Sequence, residues 1–181
     1  MSGEWKIIKG QNPILLVASH NYPQIREAII KPRDIGTGNL VERLCETTSS
    51  WGTISETVQL DPNWYKNSDF RNMVKNIIKR NNIKVVLDIH GRRKSWPRII
   101  DFYPNNSFKQ KFSSTLDGLS VIDFKDGDQT TLSEDIDRLN VPSIEIEIRR
   151  DGREIGTKNY YEVISVLERV IRNLMKFPNG V

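Results

Sequence analysis

The sequence predicts a three-layer α/β/α sandwich with a mostly parallel or mixed central sheet, in a single domain over residues 1–181. Three observations predict it. Short runs such as Ile14-Leu15-Leu16-Val17-Ala18 and Val85-Val86-Leu87 are apolar throughout, as strands covered on both faces must be. Stretches with apolar residues at helical spacing lie between such runs. Strand-like and helix-like segments alternate along the chain, which favours sheets flanked by helices over all-α or all-β folds.

In order, residues 14–18 read as a buried strand, and residues 39–46 as a helix with Leu40, Val41 and Leu44 on one stripe. Residues 53–58 read as a second strand. Phe70, Met73, Val74, Ile77 and Ile78 fall at i, i+3, i+4, i+7 and i+8, an amphipathic helix that Asn81-Asn82 ends. Residues 84–89 form another buried strand, and residues 98–103 a strand after the turn Ser95-Trp96-Pro97. A short helix over 107–116 and a strand over 119–124 follow. Residues 131–139 suit a helix started by Thr130 as its cap, residues 143–148 a strand, and Val163, Ile164, Leu167, Val170, Ile171 and Leu174 the buried stripe of a long final helix.

Composition narrows the functional classes. With 28% charged and 37% apolar residues, the chain has the make-up of a globular protein with a real core. Its net charge of +4 is scattered, whereas nucleic-acid binders gather such charge into a stripe. Cys45 is the only cysteine, so there is no intramolecular disulfide and no thiolate-rich zinc site. No apolar run is long enough to span a bilayer, and residues 1–10 lack the apolar core of a secretion signal. The expected location is the cytoplasm and the expected partner a small-molecule or peptide substrate, not a membrane or a nucleic acid.

The only two histidines, His20 and His90, sit in matching settings. Each follows a buried strand, and ligands of open α/β sheets gather at the carboxyl ends of strands. Imidazoles delivered there from two strands suit zinc, whose catalytic sites take three protein ligands and keep one position open. The plainer alternative is a pair of ordinary hydrogen-bonded histidines. Asp88, two residues before His90, shares its face and could orient the ring from behind. A third ligand must be a carboxylate. Asp34, in the Gly-rich stretch leading into the first helix, is the candidate; Glu42 and Glu46 lie further inside that helix. In Ser143-Ile144-Glu145-Ile146-Glu147-Ile148, alternation sets Glu145 and Glu147 on one face and the isoleucines on the other. Either this is an edge strand with a wet face, or a carboxylate faces the metal and moves a proton to and from water. Glu147 is then the base, with Glu145 facing the substrate or supporting the site from behind. Arg92, Arg93 and Arg149, with Arg98 and Arg150 nearby, are candidates to hold a substrate carboxylate.

These segments resemble the N-formylglutamate amidohydrolase-like family, relatives of zinc carboxypeptidases. The resemblance is carried by Ala18-Ser19-His20, by the stretch from Lys31-Pro32 through Asp34 to Thr37-Gly38, by Asp61-Pro62-Asn63, by Leu87-Asp88-Ile89-His90-Gly91, and by the glutamate strand ending in Arg149-Arg150. It runs from about residue 13 to 150 in the family's order. It implies a three-layer fold with one catalytic Zn2+ ion, His20, Asp34 and His90 as ligands, and Glu147 as general base. Asn21-Tyr22 stands where the family often has a small residue and glycine, the chain is shorter than many members, and Arg92-Arg93-Lys94 is local to this sequence; these departures bear on the substrate. Two other classes stay open on sequence alone. One is a non-catalytic module for a nucleic acid or nucleotide, using the scattered basic residues and Trp51, Trp64 and Trp96. The other is an inactive hydrolase-like scaffold.

Overall fold

Residues 5–123 and 131–177 are described by a computed structural model. In chain order the elements are β1 (Trp5–Ile8), β2 (Ile14–Ala18), β3 (Gln24–Arg26), β4 (Ile29–Lys31), α1 (Thr37–Thr48), β5 (Trp51–Ser55), β6 (Gln59–Leu60), α2 (Asp69–Arg80), β7 (Val85–Arg92), β8 (Ile100–Pro104), α3 (Asn106–Phe112), α4 (Thr131–Arg138), β9 (Ser143–Arg149) and α5 (Lys158–Leu174). Short 3-10 turns, Ser113–Leu116 and Arg150–Gly152, follow α3 and β9.

The main sheet has the order β1-β5-β2-β7-β9-β8. Strands β5, β2, β7 and β9 are parallel, and the two edge strands β1 and β8 are antiparallel to their neighbours. The sheet is therefore mixed, with a parallel centre. Ile14 to Ala18 are wholly buried because both faces of β2 are covered, which is why that run does not alternate. Ile14, Leu16, Leu87, Ile144 and Ile146 pack against α1, α3 and α5 on one face. Leu15, Val17 and Val86 pack against α2 and α4 on the other. Those are the three layers expected.

The second layer is the incomplete one. On its side, Asp88, His90, Glu145 and Glu147 continue along β7 and β9 beyond the apolar positions covered by α2 and α4. The chain also reverses here: β5 lies on one side of β2 and β7 on the other, the switch point at which α/β sheets open a crevice. A small sheet of order β4-β3-β6 stands beside it.

Several boundaries differ from expectation. The second strand starts at Trp51 and stops at Ser55, and the strand expected at 98–103 starts at Ile100 because Arg98 belongs to the preceding turn. The helix expected over 107–116 tightens after Phe112 into a 3-10 turn. The strand expected at 119–124 reduces to one bridge, Val121 beside Phe102; Phe124 and the expected cap Thr130 lie outside the described residues. β9 is not an edge strand, since β8 covers its outer side. The short strands β1, β3, β4 and β6 had no periodic signal to announce them. Among the described residues no helix is long and apolar enough to cross a membrane.

A buried ion pair pins α2 to α4. Arg71 is fully buried; its Nε donates to Asp135 Oδ2 at 2.7 Å, and NH2 lies 2.7 Å from Oδ1. Burial raises the Asp135 carboxyl, but hydrogen bonds from Arg71 and Lys75 outweigh it and hold it below the usual range. A depressed carboxyl contributes stability above its unfolded pKa, about 3.9, and loses it as pH falls through the folded value. Asp135→Asn is expected to cost about 3 kcal/mol at pH 7 by leaving Arg71 without its counterion. The difference from wild type should shrink below about pH 4, as urea unfolding at pH 7 and pH 3 will test.

Candidate metal centre

His20 lies in the turn that follows β2, and His90 lies within β7, which runs on to Arg92. Asp34 comes from the loop between β4 and α1 and is tied from several directions. Its N–H donates to His20 O at 2.7 Å, its carbonyl accepts from Thr37 Oγ1 at 2.9 Å, and its Oδ2 accepts from Gly91 N–H at 3.0 Å. Asn21 explains the departure after the first histidine: its Oδ1 accepts from Gly38 N–H at 3.1 Å, and a Cβ at Gly38 would stand 2.6 Å from that oxygen. The amide thus locks the start of α1 onto the end of β2.

The structure brings the three expected ligands together. His20 Nδ1 and His90 Nδ1 are 3.2 Å apart, and Asp34 Oδ2 is 3.6 Å from the first and 3.8 Å from the second. Zinc bonds to nitrogen or oxygen of about 2.0–2.1 Å in a tetrahedral shell place neighbouring ligand atoms roughly 3.3 Å apart. The three atoms therefore fit one ion. Among the described residues, His20, Asp34 and His90 form a group of metal-ligating side chains with one atom each within 4.8 Å of the others.

The opposite nitrogens are held from behind. His90 Nε2 lies 3.0 Å from Asp88 Oδ2, as the sequence suggested. His20 Nε2 lies 3.2 Å from Asp61 Oδ1, a residue that entered the sequence analysis only within the Asp61-Pro62-Asn63 segment of the resemblance, with no role of its own. Asp61 is itself fixed: its Oδ2 accepts from Arg26 Nε at 2.9 Å and NH2 at 2.6 Å, its Oδ1 from Asn63 N–H at 2.9 Å, and Arg26 lies over the Trp64 ring. A carboxylate beside Nε2 calls for the proton on that nitrogen and leaves Nδ1 as the donor atom.

Carboxylates outnumber cations here. Burial opposes a charge on His90, but Asp88, Glu145 and Glu147 push its pKa well above the usual value. Burial and His90 likewise oppose a charge on His20, and Asp34 and Asp61 raise it nonetheless. Burial raises the carboxyls of Asp34 and Asp61, but His20 holds both below the usual range. Burial pushes Glu145 up to about 7, with Asp88 and Glu147 adding to it, and burial also raises Glu147. Oε2 of each glutamate is buried and has no hydrogen-bond donor among the described residues. Such a set of donors and acids suits a cation with water around it.

His20, Asp34, His90, Glu145 and Glu147 line one cavity of about 620 Å³, with Gln24, Lys31, Trp64 and Arg93 on its wall. Of the predicted arginines, Arg93 reaches the cavity. Arg92 lies against Glu147: its Nε is 3.3 Å from Glu147 Oε2, out of hydrogen-bond alignment, and its guanidinium stacks on Trp96 and Tyr103. Arg149 does not join the lining. Asp151 Oδ1 and Oδ2 accept from its Nε and NH2 at 2.7 and 2.8 Å, and Trp96 O from its NH1 at 3.2 Å. A nearby carboxylate claimed the fork that the sequence assigned to substrate. Arg98 and Arg150 are paired with Asp101 and Glu154, and Glu42 and Glu46 with Lys6 and Arg43.

The same architecture occurs in solved structures. A gene product of Agrobacterium tumefaciens superposes with a TM-score of 0.71 at 15% identity, over 96% of this chain and 94% of that one. N-formylglutamate amidohydrolase from Ralstonia eutropha JMP134 superposes at 0.60 and 13% identity, over 98% and 99%. The chain shares that enzyme's fold. A bacteriophage poly-gamma-glutamate hydrolase shares it too, at 0.55 and 13% identity over 94% and 89%. No protein-family model matches the chain, and no curated protein matches it in sequence. The likeness to N-formylglutamate amidohydrolase is thus one of fold, and chemistry must be argued from the site.

With only two histidines in the chain, a proton–nitrogen correlation spectrum of the imidazole rings has one set of signals per ring. Nε2 is expected to carry a proton in both at neutral pH. Asp88→Asn should disturb mainly the His90 signals and Asp61→Asn mainly those of His20. A wild-type spectrum with a bare Nε2 on either ring would contradict the assigned hydrogen bonds.

Proposed function

We propose that the protein is a metal-dependent amidohydrolase of the N-formylglutamate amidohydrolase-like family, acting on the amide bond of a small N-acyl or N-formyl amino acid or peptide. One zinc ion would be held by His20, Asp34 and His90. The observation that carries this reading is the convergence of two Nδ1 atoms and one carboxylate oxygen at ligand spacing, with both Nε2 atoms backed by acids. The shared fold supports it.

A divalent ion held there supplies Lewis acidity, lowering the pKa of water and polarising a carbonyl. Glu147 acts as the base. It faces the cavity opposite His90 in the β7–β9 ladder, and its carboxyl, raised by burial, is suited to take a proton from water and return it to the leaving amine. His90, and after it Arg92 beside Glu147, hold back that rise. Lys31 and Arg93 are exposed on the cavity wall, with no hydrogen-bond or ion-pair partner for their side chains among the described residues. They take the substrate's carboxylate, Arg93 in bidentate fashion. Asp61 and Asp88 fix ring orientation without touching the reacting atoms.

The test is elemental analysis of protein purified without chelators, paired with amine release from a panel of N-formyl and N-acyl amino acids. About one zinc per chain is expected from the three-ligand set, and His90→Ala should lose it while remaining folded. Glu147→Gln should keep the metal and lower kcat roughly 100- to 10,000-fold. Metal-free wild-type protein that cannot be loaded, or a Glu147→Gln variant as active as wild type on a cleaved substrate, would overturn the proposal.

A further inference from the structure

Arg153 belongs to no motif in the sequence, yet only 6% of it is exposed. It follows the 3-10 turn after β9 and points back beneath the candidate metal centre. Its guanidinium donates to three main-chain carbonyls: Nε to Ile148 O at 3.0 Å, NH2 to Arg92 O at 3.2 Å, and NH1 to Ile35 O. The positions of those carbonyls are informative. Ile35 directly follows Asp34, Ile148 directly follows Glu147, and Arg92 comes two residues after His90. One side chain thus grips the backbone beside the carboxylate ligand, a histidine ligand and the base.

Two glycines make room for it. A Cβ on Gly91 would lie 2.5 Å from the guanidinium carbon, and a Cβ on Gly36 would lie 2.4 Å from Arg153 O. Gly36 also sits at φ +90°, where other residues are strained. Arg153 has no carboxylate within ion-pair distance among the described residues. A buried cation whose hydrogen bonds all go to carbonyls, with Asp34 and Glu147 acting on it only through space, is a costly way to fill space, since an apolar side chain of similar volume would pack there without the desolvation. Its planar fork does what neither an apolar chain nor a lysine can do, which is to hold carbonyls in several fixed directions at once.

We infer that Arg153 is a positioning residue: its guanidinium sets the distance of Asp34 from His90 and Glu147, so that the metal cage and its base are assembled before any ligand arrives. This rests on the metal-centre reading for its effect on affinity, but the positioning itself is testable without metal. The Gly91 N–H that donates to Asp34 Oδ2 spans the two segments that Arg153 joins. Its hydrogen exchange reports whether they stay in register.

The experiment compares wild type, Arg153→Lys and Arg153→Gln; the last keeps two amide donors without a buried charge, as a second variant should lysine fail to fold. In metal-free protein, exchange at Gly91 is expected to quicken at least about 10-fold in the variants, while the amide of Leu87 in the middle of β7 stays protected. Zinc affinity, by competition with a chelator, is expected to fall about 10- to 100-fold, the usual effect of losing an outer support. Any cleaved substrate should show the loss in kcat more than in KM. Unchanged Gly91 exchange would overturn the inference whether or not the protein binds zinc. Faster exchange in a wild-type background that never binds zinc would keep the positioning and remove only the metal reading. Faster exchange with undiminished zinc affinity would overturn the claim that positioning governs the cage.

Discussion

The functional reading depends on the direction in which two imidazoles face. His20 and His90 meet at the point where the chain reverses across β2, and each ring has an acid at Nε2. With that nitrogen committed, Nδ1 of each ring turns inward, where Asp34 Oδ2 completes a three-atom donor set. A histidine pair without Asp61 and Asp88 could rotate and present either nitrogen. The two outer carboxylates are what make a shared centre out of two neighbouring rings.

The fold supplies this arrangement through an asymmetry between its layers. The face packed by α1, α3 and α5 is apolar along the whole length of β7 and β9, with Leu87, Ile89, Ile144, Ile146 and Ile148 all buried. The other face is apolar only as far as Val17 and Val86. Beyond them the alternation of the strands delivers Asp88, His90, Glu145 and Glu147 to one side, where they meet the loops bearing Asp34 and Asp61. Burial, with neighbouring acids adding to it, raises the carboxyls of Glu145 and Glu147, and the acids raise both histidines, a balance of charge that calls for a cation or paired arginines. Arg26 and Arg92 each take up one acid from the edge, and Arg153 braces the backbone from beneath.

Much of this was legible in the sequence. The apolar runs of β2 and β7 and the helical spacing of α2 and α5 announced a layered α/β fold, because burial on one or both faces leaves a periodic trace. That His20 and His90 come together was expected from their matching places at strand ends, and that Glu145 and Glu147 share a face from a period of two. Asp61 entered only as part of the Asp61-Pro62-Asn63 segment of the resemblance, without a role, because that role depends on β3 and β6 bringing its loop against β2, and strands of two or three residues leave no periodicity. The β3–β4 hairpin was hidden for a further reason: Glu27 and Ala28 occupy its turn with positive φ, where Asn-Gly would have signalled it. Arg149 misled because an arginine after an acidic strand carries no mark of its partner, and Asp151, two residues on, binds it. Arg153 was invisible because its partners are backbone carbonyls, which no residue type encodes.

The most direct measurement is anomalous scattering at the zinc edge from crystals of the protein grown with zinc. The account predicts a single peak enclosed by His20 Nδ1, His90 Nδ1 and Asp34 Oδ2, with Nε2 of both rings still turned toward Asp61 and Asp88. A peak bonded through either Nε2, a peak elsewhere on the chain, or no peak at the two histidines would contradict it.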